Sequence, residues 1–373
     1  MKKKMIITTL VVFAVITGIA YYWLNQGNNN KETIRIGAIL PLTGEVAFVG
    51  QPIKNAIQLF LDDYNKNAET KVEVIFEDSR AENQKGLSIL QKFRTQNINL
   101  ILGPVTSGEV LSLASEAEKN KIILFSPGAS ASSITNAGDY IFRNELSDDL
   151  GAKAQAQLAM DILNWQKIAI LYTNNDYGVG VLNNFEGKYS QLGGEITTKV
   201  AFESESNDFR TQIATIKHSS ADALFIVAQN EYPLIIKQIK ENGIKTPIYA
   251  TPIFEDVNFI KRLGKLSEGI YYTYYGNFDV RSTEKKCKTF VESYETRFHE
   301  SPSYYAALGY DNIGLMIEAL EIVAFDSSKV KDGLYSIKAY QGVTGEISID
   351  KNGDVYKPVI LKKVINGHFT VVE

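Results

Sequence analysis

Residues 101–136, ILGPVTSGEVLSLASEAEKNKIILFSPGASASSITN, decide the fold. Two short apolar runs each open into a loop of small and hydroxyl residues. Thr106-Ser107-Gly108 follow the first and Gly128-Ala129-Ser130 the second. Both runs read as buried strand ends. In a parallel sheet such ends lie along one edge, where open α/β folds bind ligands. Free backbone N–H groups beside two short hydroxyls suit a small carboxylate or another compact anion. Neither loop pairs a nucleophile with a base, so the stretch reads as a binding site rather than a catalytic one.

Working outward, strand and helix patterns alternate. Strands are expected at 33–40, 72–76, 100–102 and 122–126, and helices at 51–64, 81–95 and 108–119. The helix at 51–64 carries Ile53, Ala56, Ile57, Phe60 and Leu61 on one stripe. Buried, non-alternating strands between helices argue for a parallel sheet flanked by helices. The pattern then restarts. Helices at 149–164, 178–192, 208–218 and 232–242 alternate with strands at 167–172, 195–201, 223–227, 248–250 and 269–275. Two βα arrays in series predict two similar lobes with a cleft between them. The last section differs, with helices at 283–298, 304–325 and 329–337. Strands at 345–349, 359–364 and 368–372 then form a closing meander, with Asn352-Gly353 as a turn signal. A final section that packs on both lobes makes the chain cross between them several times, which makes a hinge.

At 373 residues the chain is long enough for two domains with proper cores. Its formal charge is −4, and −7 without Lys2, Lys3 and Lys4, which argues against a nucleic-acid partner. Those lysines precede an apolar run at 5–24 and a polar stretch at 25–31. A run of about 20 apolar residues can span a bilayer, whereas a signal-peptide core is nearer to about 7–15. Gly18-Ile19-Ala20 offers a small-x-small cleavage site. A cleaved signal peptide and an uncleaved transmembrane anchor both stay open. Either way the remainder is expected to be exported, periplasmic or at the cell surface. No Cys follows the run, so a lipid-modified N-terminal Cys is excluded. Cys287 is the only cysteine and is expected to pack on a helix. His218, His299 and His368 lack ligand spacing, so neither a metal nor a cofactor is expected.

The stretches IGAILPLTG (36–44), IAILY (168–172), DYG (176–178) and GVTGEISID (342–350), together with the two opening loops, resemble a family. The chain looks like a type I periplasmic binding protein of the leucine/isoleucine/valine group that feeds ABC transporters. The resemblance implies two Rossmann-like lobes that close over a branched-chain or similar small hydrophobic amino acid, and an ABC permease as membrane partner. Residues 32–147 and 278–343 would form the first lobe, 148–277 and 344–373 the second, after the leader and linker at 1–31. It also implies site residues. The first lobe would hold the ligand carboxylate through Ser107 and through Gly128, Ala129 and Ser130. Tyr177 would close from the second lobe, and an acidic hinge-side position falls on Asp148. Phe48 or Val49 would face the ligand, and Tyr304 would wall its side-chain pocket. There is one departure. The second-lobe Glu that pairs with the ligand ammonium aligns with Thr251 or Pro252, with Glu255 nearby, and a neighbouring family aromatic aligns with Gln229. An amino acid held through Asp148 or Glu255, a non-amino carboxylic acid and an amide therefore all stay open.

Each of these residues also has a plainer reading. Ser107 and Ser130 could be helix N-caps, Tyr177 a surface tyrosine, and Asp148 and Asp149 acids at a helix start. Tyr271, Tyr272, Tyr274 and Tyr275 read as packing or hinge residues rather than an aromatic cage. Gly128-Ala129-Ser130-Ala131-Ser132 lacks the second Gly of a nucleophile elbow, and Gly178-Val179-Gly180 is a fragment of a dinucleotide fingerprint. Asp350-Lys351-Asn352-Gly353-Asp354 lacks the Gly and Glu of a calcium loop. An extracytoplasmic solute-binding protein is thus the expectation, and not an enzyme. A membrane-tethered ligand-sensing domain is the alternative.

Overall fold

The computed structural model describes residues 33–372. The leader at 1–31 lies outside them. The first sheet is built from β1 (Ile34–Leu40), β2 (Val72–Asp78), β3 (Leu100–Leu102), β4 (Ile123–Ser126) and β5 (Ile141–Arg143). Its order is β2-β1-β3-β4-β5, and every pairing is parallel. Helices α1 (Ala47–Asn67), α2 (Asn83–Thr95) and α3 (Ser107–Asn120) cover it. In α1 the buried positions are Val49, Ile53, Ala56, Ile57 and Leu61, the one-faced spacing of an amphipathic helix.

The second sheet takes β6 (Lys167–Thr173), β7 (Glu195–Phe202), β8 (Ala223–Val227), β9 (Ile248–Ala250) and β10 (Tyr271–Tyr275) in parallel. Its helices are α4 (Asp148–Asp161), α5 (Asp176–Gln191), α6 (Arg210–Lys217), α7 (Tyr232–Glu241) and α8 (Val257–Leu263). Strand β8 is buried at all five positions, as a strand covered on both faces must be.

The chain passes between the lobes three times. It leaves the first sheet through residues 144–147 and returns through 276–284 to α9 (Lys285–Phe298), α10 (Tyr304–Ile322) and α11 (Val330–Ser336). These helices pack on the first lobe. Ile313, Leu315, Met316 and Leu320 of α10 share a core with Ile36, Leu40 and Ile53, and Phe290 of α9 packs on Tyr310. Three short strands follow, β11 (Tyr340–Gly342), β12 (Gly345–Ile349) and β13 (Val355–Tyr356), in a small antiparallel sheet. The chain then crosses back at 357–358 into β14 (Val359–Ile365) and β15 (His368–Val371), which add antiparallel strands to β10.

The structure departs from the expectation in several places. Residues 344–356, expected in the second lobe, pack on the first: Ile347, Ile349 and Val355 lie in the core with Leu102 and Phe142, and Asp354 ion-pairs with Arg143. The closing meander is therefore two pieces. Strands β5, β11 and β13 and helix α8 were not expected, each being too short for a periodic pattern.

The crossings are bound to one another. Lys357 Nζ donates to Asn144 O at 2.7 Å, tying the third crossing to the first. Asn277 N donates to Thr344 O at 2.9 Å. The Asp311 carboxylate on α10 accepts from Val343 N, Thr344 N and the Thr344 hydroxyl.

Candidate functional site

In each parallel array the strand order reverses beside the strand that opens it, between β1 and β3 and between β6 and β8. Crevices at the C-terminal ends of strands form at such reversals. The two crevices face each other here and enclose a cavity of about 260 Å³. Its wall takes residues from the loops after β1, β3, β4, β6, β8 and β9 and from the first crossing. The lobes touch beyond it. Asn184 Nδ2 on α5 donates to Ser132 Oγ at 2.7 Å, and the Phe48 and Phe259 rings lie 6.0 Å apart.

One side of the wall is rich in donors. Thr106 is the N-cap of α3, its side chain accepting from Glu109 N, so Ser107 and Gly108 are the first two helical residues. N–H groups at that position have no acceptor within the helix. Ser107 is therefore not the cap; its Oγ accepts from Ala131 N at 3.1 Å, which leaves its proton free to donate. That bond stitches the two loops together. Buried Arg143 shapes the second loop. Its Nη1 donates to the carbonyls of Ser130 and Ala131, both at 2.9 Å, and its Nε pairs with Asp354 at 2.7 Å. Those carbonyls are drawn away from the cavity.

Acids stand beside these donors. Glu145, Asp148 and, on α5, Asp176 line the cavity, and among the described residues no Lys, Arg or His does. Asp148 is 3% exposed. Its N–H donates to Ser130 O at 2.7 Å, and the Ser130 hydroxyl hydrogen-bonds its carboxylate. Its Oδ2 is buried and has no partner among the described residues. Burial pushes the Asp148 carboxyl up to about 7, against the lowering influence of Ser130 and Arg143. Burial does the same to Glu145, also to about 7, opposed chiefly by Lys357. The Oε1 of Glu145 accepts from Leu146 N at 2.8 Å and from the Tyr304 hydroxyl at 3.1 Å. Lys357 is itself pushed down to about 8 by burial.

Of the residues expected at the site, Ser107, Gly128, Ser130, Asp148, Tyr177, Gln229 and Tyr304 line the cavity. Phe48 and Ala129 do not. The Phe48 ring is taken up between Phe259 and Tyr305, and Val46 and Val49 of the same segment face the cavity instead. Ala129 is buried, and its N–H donates to Ser126 Oγ at 3.0 Å. The Tyr177 hydroxyl is not in solvent: it bonds Thr251 Oγ1 at 2.9 Å, which is 3.0 Å from the Tyr232 hydroxyl. Glu255 is ruled out as an ammonium partner. It sits on Lys362 at 2.9 Å and on the Tyr272 hydroxyl at 2.7 Å, away from the cavity. Thr251 and Pro252 stand in the wall without a carboxylate.

Sequence reasoning missed Glu145, Gln155, Tyr275 and Tyr305 as wall residues. Glu145 had a signal in its nearness to Asp148. Tyr275 ends a strand and reaches over α4, where Gly151 admits its hydroxyl; a Cβ on Gly151 would stand 2.1 Å from that oxygen. Among the described residues no group of three or more His, Cys, Asp or Glu side chains could hold a metal ion.

This geometry, two lobes with a cleft between them, agrees with the comparisons. A family model described as periplasmic binding protein matches residues 33–368. The chain belongs to the periplasmic binding protein family. Its lobes have the type I fold, and the family comprises extracytoplasmic solute-binding proteins of the ABC-transporter kind rather than enzymes. A relative in Brucella abortus (strain 2308), "Leu/Ile/Val-binding protein homolog 2", is 22% identical over 336 residues, covering 88% of this chain and 89% of its own. The branched-chain amino acid binding protein LivJ of Streptococcus pneumoniae, solved with isoleucine, superposes with a TM-score of 0.83 at 28% identity. The match covers 91% of this chain and 99% of that one. A solute-binding protein of Rhodopseudomonas palustris BisB5, solved with 3,4-dihydroxybenzoic acid, gives 0.82 at 25% identity, covering 91% and 96%.

Proposed function

We propose that this solute-binding protein captures a small amino acid with a largely apolar body and delivers it to an ABC permease. The observation that supports this most is the unpartnered Oδ2 of Asp148 in a cavity whose wall also carries the N–H and O–H groups of the α3 start and the 128–130 loop. A buried carboxylate oxygen without a partner is costly unless a ligand supplies the donor. An α-amino acid has both ends: its carboxylate fits the starts of α3 and the 128–130 loop, its ammonium Asp148. Asp148 would thus do, from the start of α4, what the resemblance assigns to a Glu further along the second lobe. Val46, Val49, Val105, Val181, Ile253 and Tyr305 would pack on the apolar body.

A second reading has its own support. Tyr177, Tyr275, Tyr304 and Tyr305 ring the cavity, and a structural neighbour holds a dihydroxybenzoic acid. An aromatic acid without an amine would then bind to the protonated form of Asp148. Isothermal titration with paired ligands separates the two. Leucine binding while its deaminated analogue fails supports the amino-acid reading; binding of aromatic acids alone overturns it. Whether the protein is released or stays tethered through residues 5–24 is read by N-terminal sequencing of the mature chain. A start near residue 21 supports transport by a free protein, and an intact leader supports the tethered sensing alternative.

A further inference from the structure

The helix that supplies Asp148 carries a second feature of the same kind. Gln155 lies seven residues on, so the two side chains share a face of α4 about 10 Å apart along its axis. Gln155 is 1% exposed and lines the cavity. Its Nε2 donates to Thr273 Oγ1 at 2.5 Å, and its backbone carbonyl accepts from the Tyr249 hydroxyl at 3.1 Å. Its Oε1 is buried and, like Asp148 Oδ2, has no partner among the described residues. Between them Gly151 makes room for the Tyr275 ring, which closes over this face.

An ammonium on Asp148 accounts for the first orphaned oxygen and leaves the second. We propose that Gln155 is a specificity-determining residue for a ligand whose side chain ends in a neutral hydrogen-bond donor, a hydroxyl or an amide. This rests on the amino-acid reading above. The donor is neutral because Gln155 presents an uncharged amide oxygen, its Nε2 being held by Thr273. A cationic tip would be buried against a neutral carbonyl. An aliphatic side chain of the same shape would leave the Gln155 oxygen desolvated and unpaired, which is the costly arrangement.

The test is isothermal titration of the purified protein with shape-matched pairs: threonine and valine, asparagine and leucine, glutamine and methionine, tyrosine and phenylalanine. In the pair whose size fits, the polar member binds about tenfold more tightly or better. Gln155→Met brings that ratio to near unity by weakening the polar member and strengthening the apolar one, whose penalty from the unpaired oxygen is removed. If the apolar member binds as tightly or more tightly in every pair, the proposal is overturned. The wild-type ratios decide this alone should the variant not fold. Failure of every amino acid to bind defeats the parent reading instead, a result distinct from binding without preference for the polar member.

Discussion

Replacing Asp148 with Asn tests the site with the smallest change of shape. The amide oxygen can still accept from Ser130, so the loop contact survives while the charge is lost. In the complex, the ligand ammonium would sit buried against a neutral group. Charge-assisted hydrogen bonds contribute about 1.5–3 kcal/mol, and breaking a buried ion pair costs about 3–5 kcal/mol. A loss near 3 kcal/mol is expected, roughly a hundredfold in Kd. The free protein should respond in the opposite sense. Burial raises the folded-state carboxyl of Asp148 from 3.8 to about 7. In the folded state this acid keeps its proton over a pH range where the unfolded chain has lost it. Stability is therefore lost as pH rises from about 4 to about 7, by an order of 4 kcal/mol for this group. Asp148→Asn removes that penalty, so the ligand-free variant should melt at the wild-type temperature or above it at pH 8. Titration calorimetry and a thermal melt on the same sample read both effects. Unchanged affinity would refute the ammonium assignment, and a melting temperature that falls with the affinity would make Asp148 structural.

Three further outcomes follow from the same geometry. Ser107→Ala with Ser130→Ala should weaken ligand binding by at least about tenfold in titration calorimetry while the fold, read by circular dichroism, is kept; unchanged affinity contradicts the carboxylate side of the site. Affinity for an amino acid should weaken up to about tenfold per pH unit below about 7 and level off above it, because Asp148 must release a proton to accept the ammonium; a flat profile from pH 5 to 8, or a slope that survives in Asp148→Asn, counts against this. Gly151→Ala would place a Cβ 2.1 Å from the present position of the Tyr275 hydroxyl and should displace that ring, reducing affinity in an equilibrium titration without altering any ligand-bonding group; an affinity equal to the wild type would show that Tyr275 does not bound the ligand.

Much of the fold was legible because its signals are local and repeated. The one-faced apolar stripe of 51–64 gives α1, and the short buried runs at 100–102 and 122–126 give adjacent strands β3 and β4. Turn chemistry at Asn352-Gly353 marked a real hairpin, but not the lobe on which it packs. Long-range pairs decide that, chiefly Arg143 with Asp354, 211 residues away. The same limit applies at the site. The two hydroxyl loops follow from strand ends, so Ser107, Gly128 and Ser130 could be placed from their neighbours in the chain. That Phe48 turns to Phe259 and Tyr305 while Val46 and Val49 face the cavity is settled by packing between lobes. Likewise Glu255 is nearest in sequence to the expected ammonium partner, and Lys362, from a strand more than 100 residues on, takes it away. Gln155 gave no signal, since a glutamine two turns into a helix ordinarily faces solvent.

The most direct measurement is a thermal-shift screen of the protein against amino acids, their deaminated acids and their amides. A ligand at 100 times its Kd adds about 2.7 kcal/mol, a visible shift. Stabilisation by amino acids, with no response to deaminated acids of the same skeleton, is the expected result. Stabilisation by the deaminated acids alone would contradict the pairing of Asp148 with an ammonium and, with it, the assignment of the ligand as an amino acid.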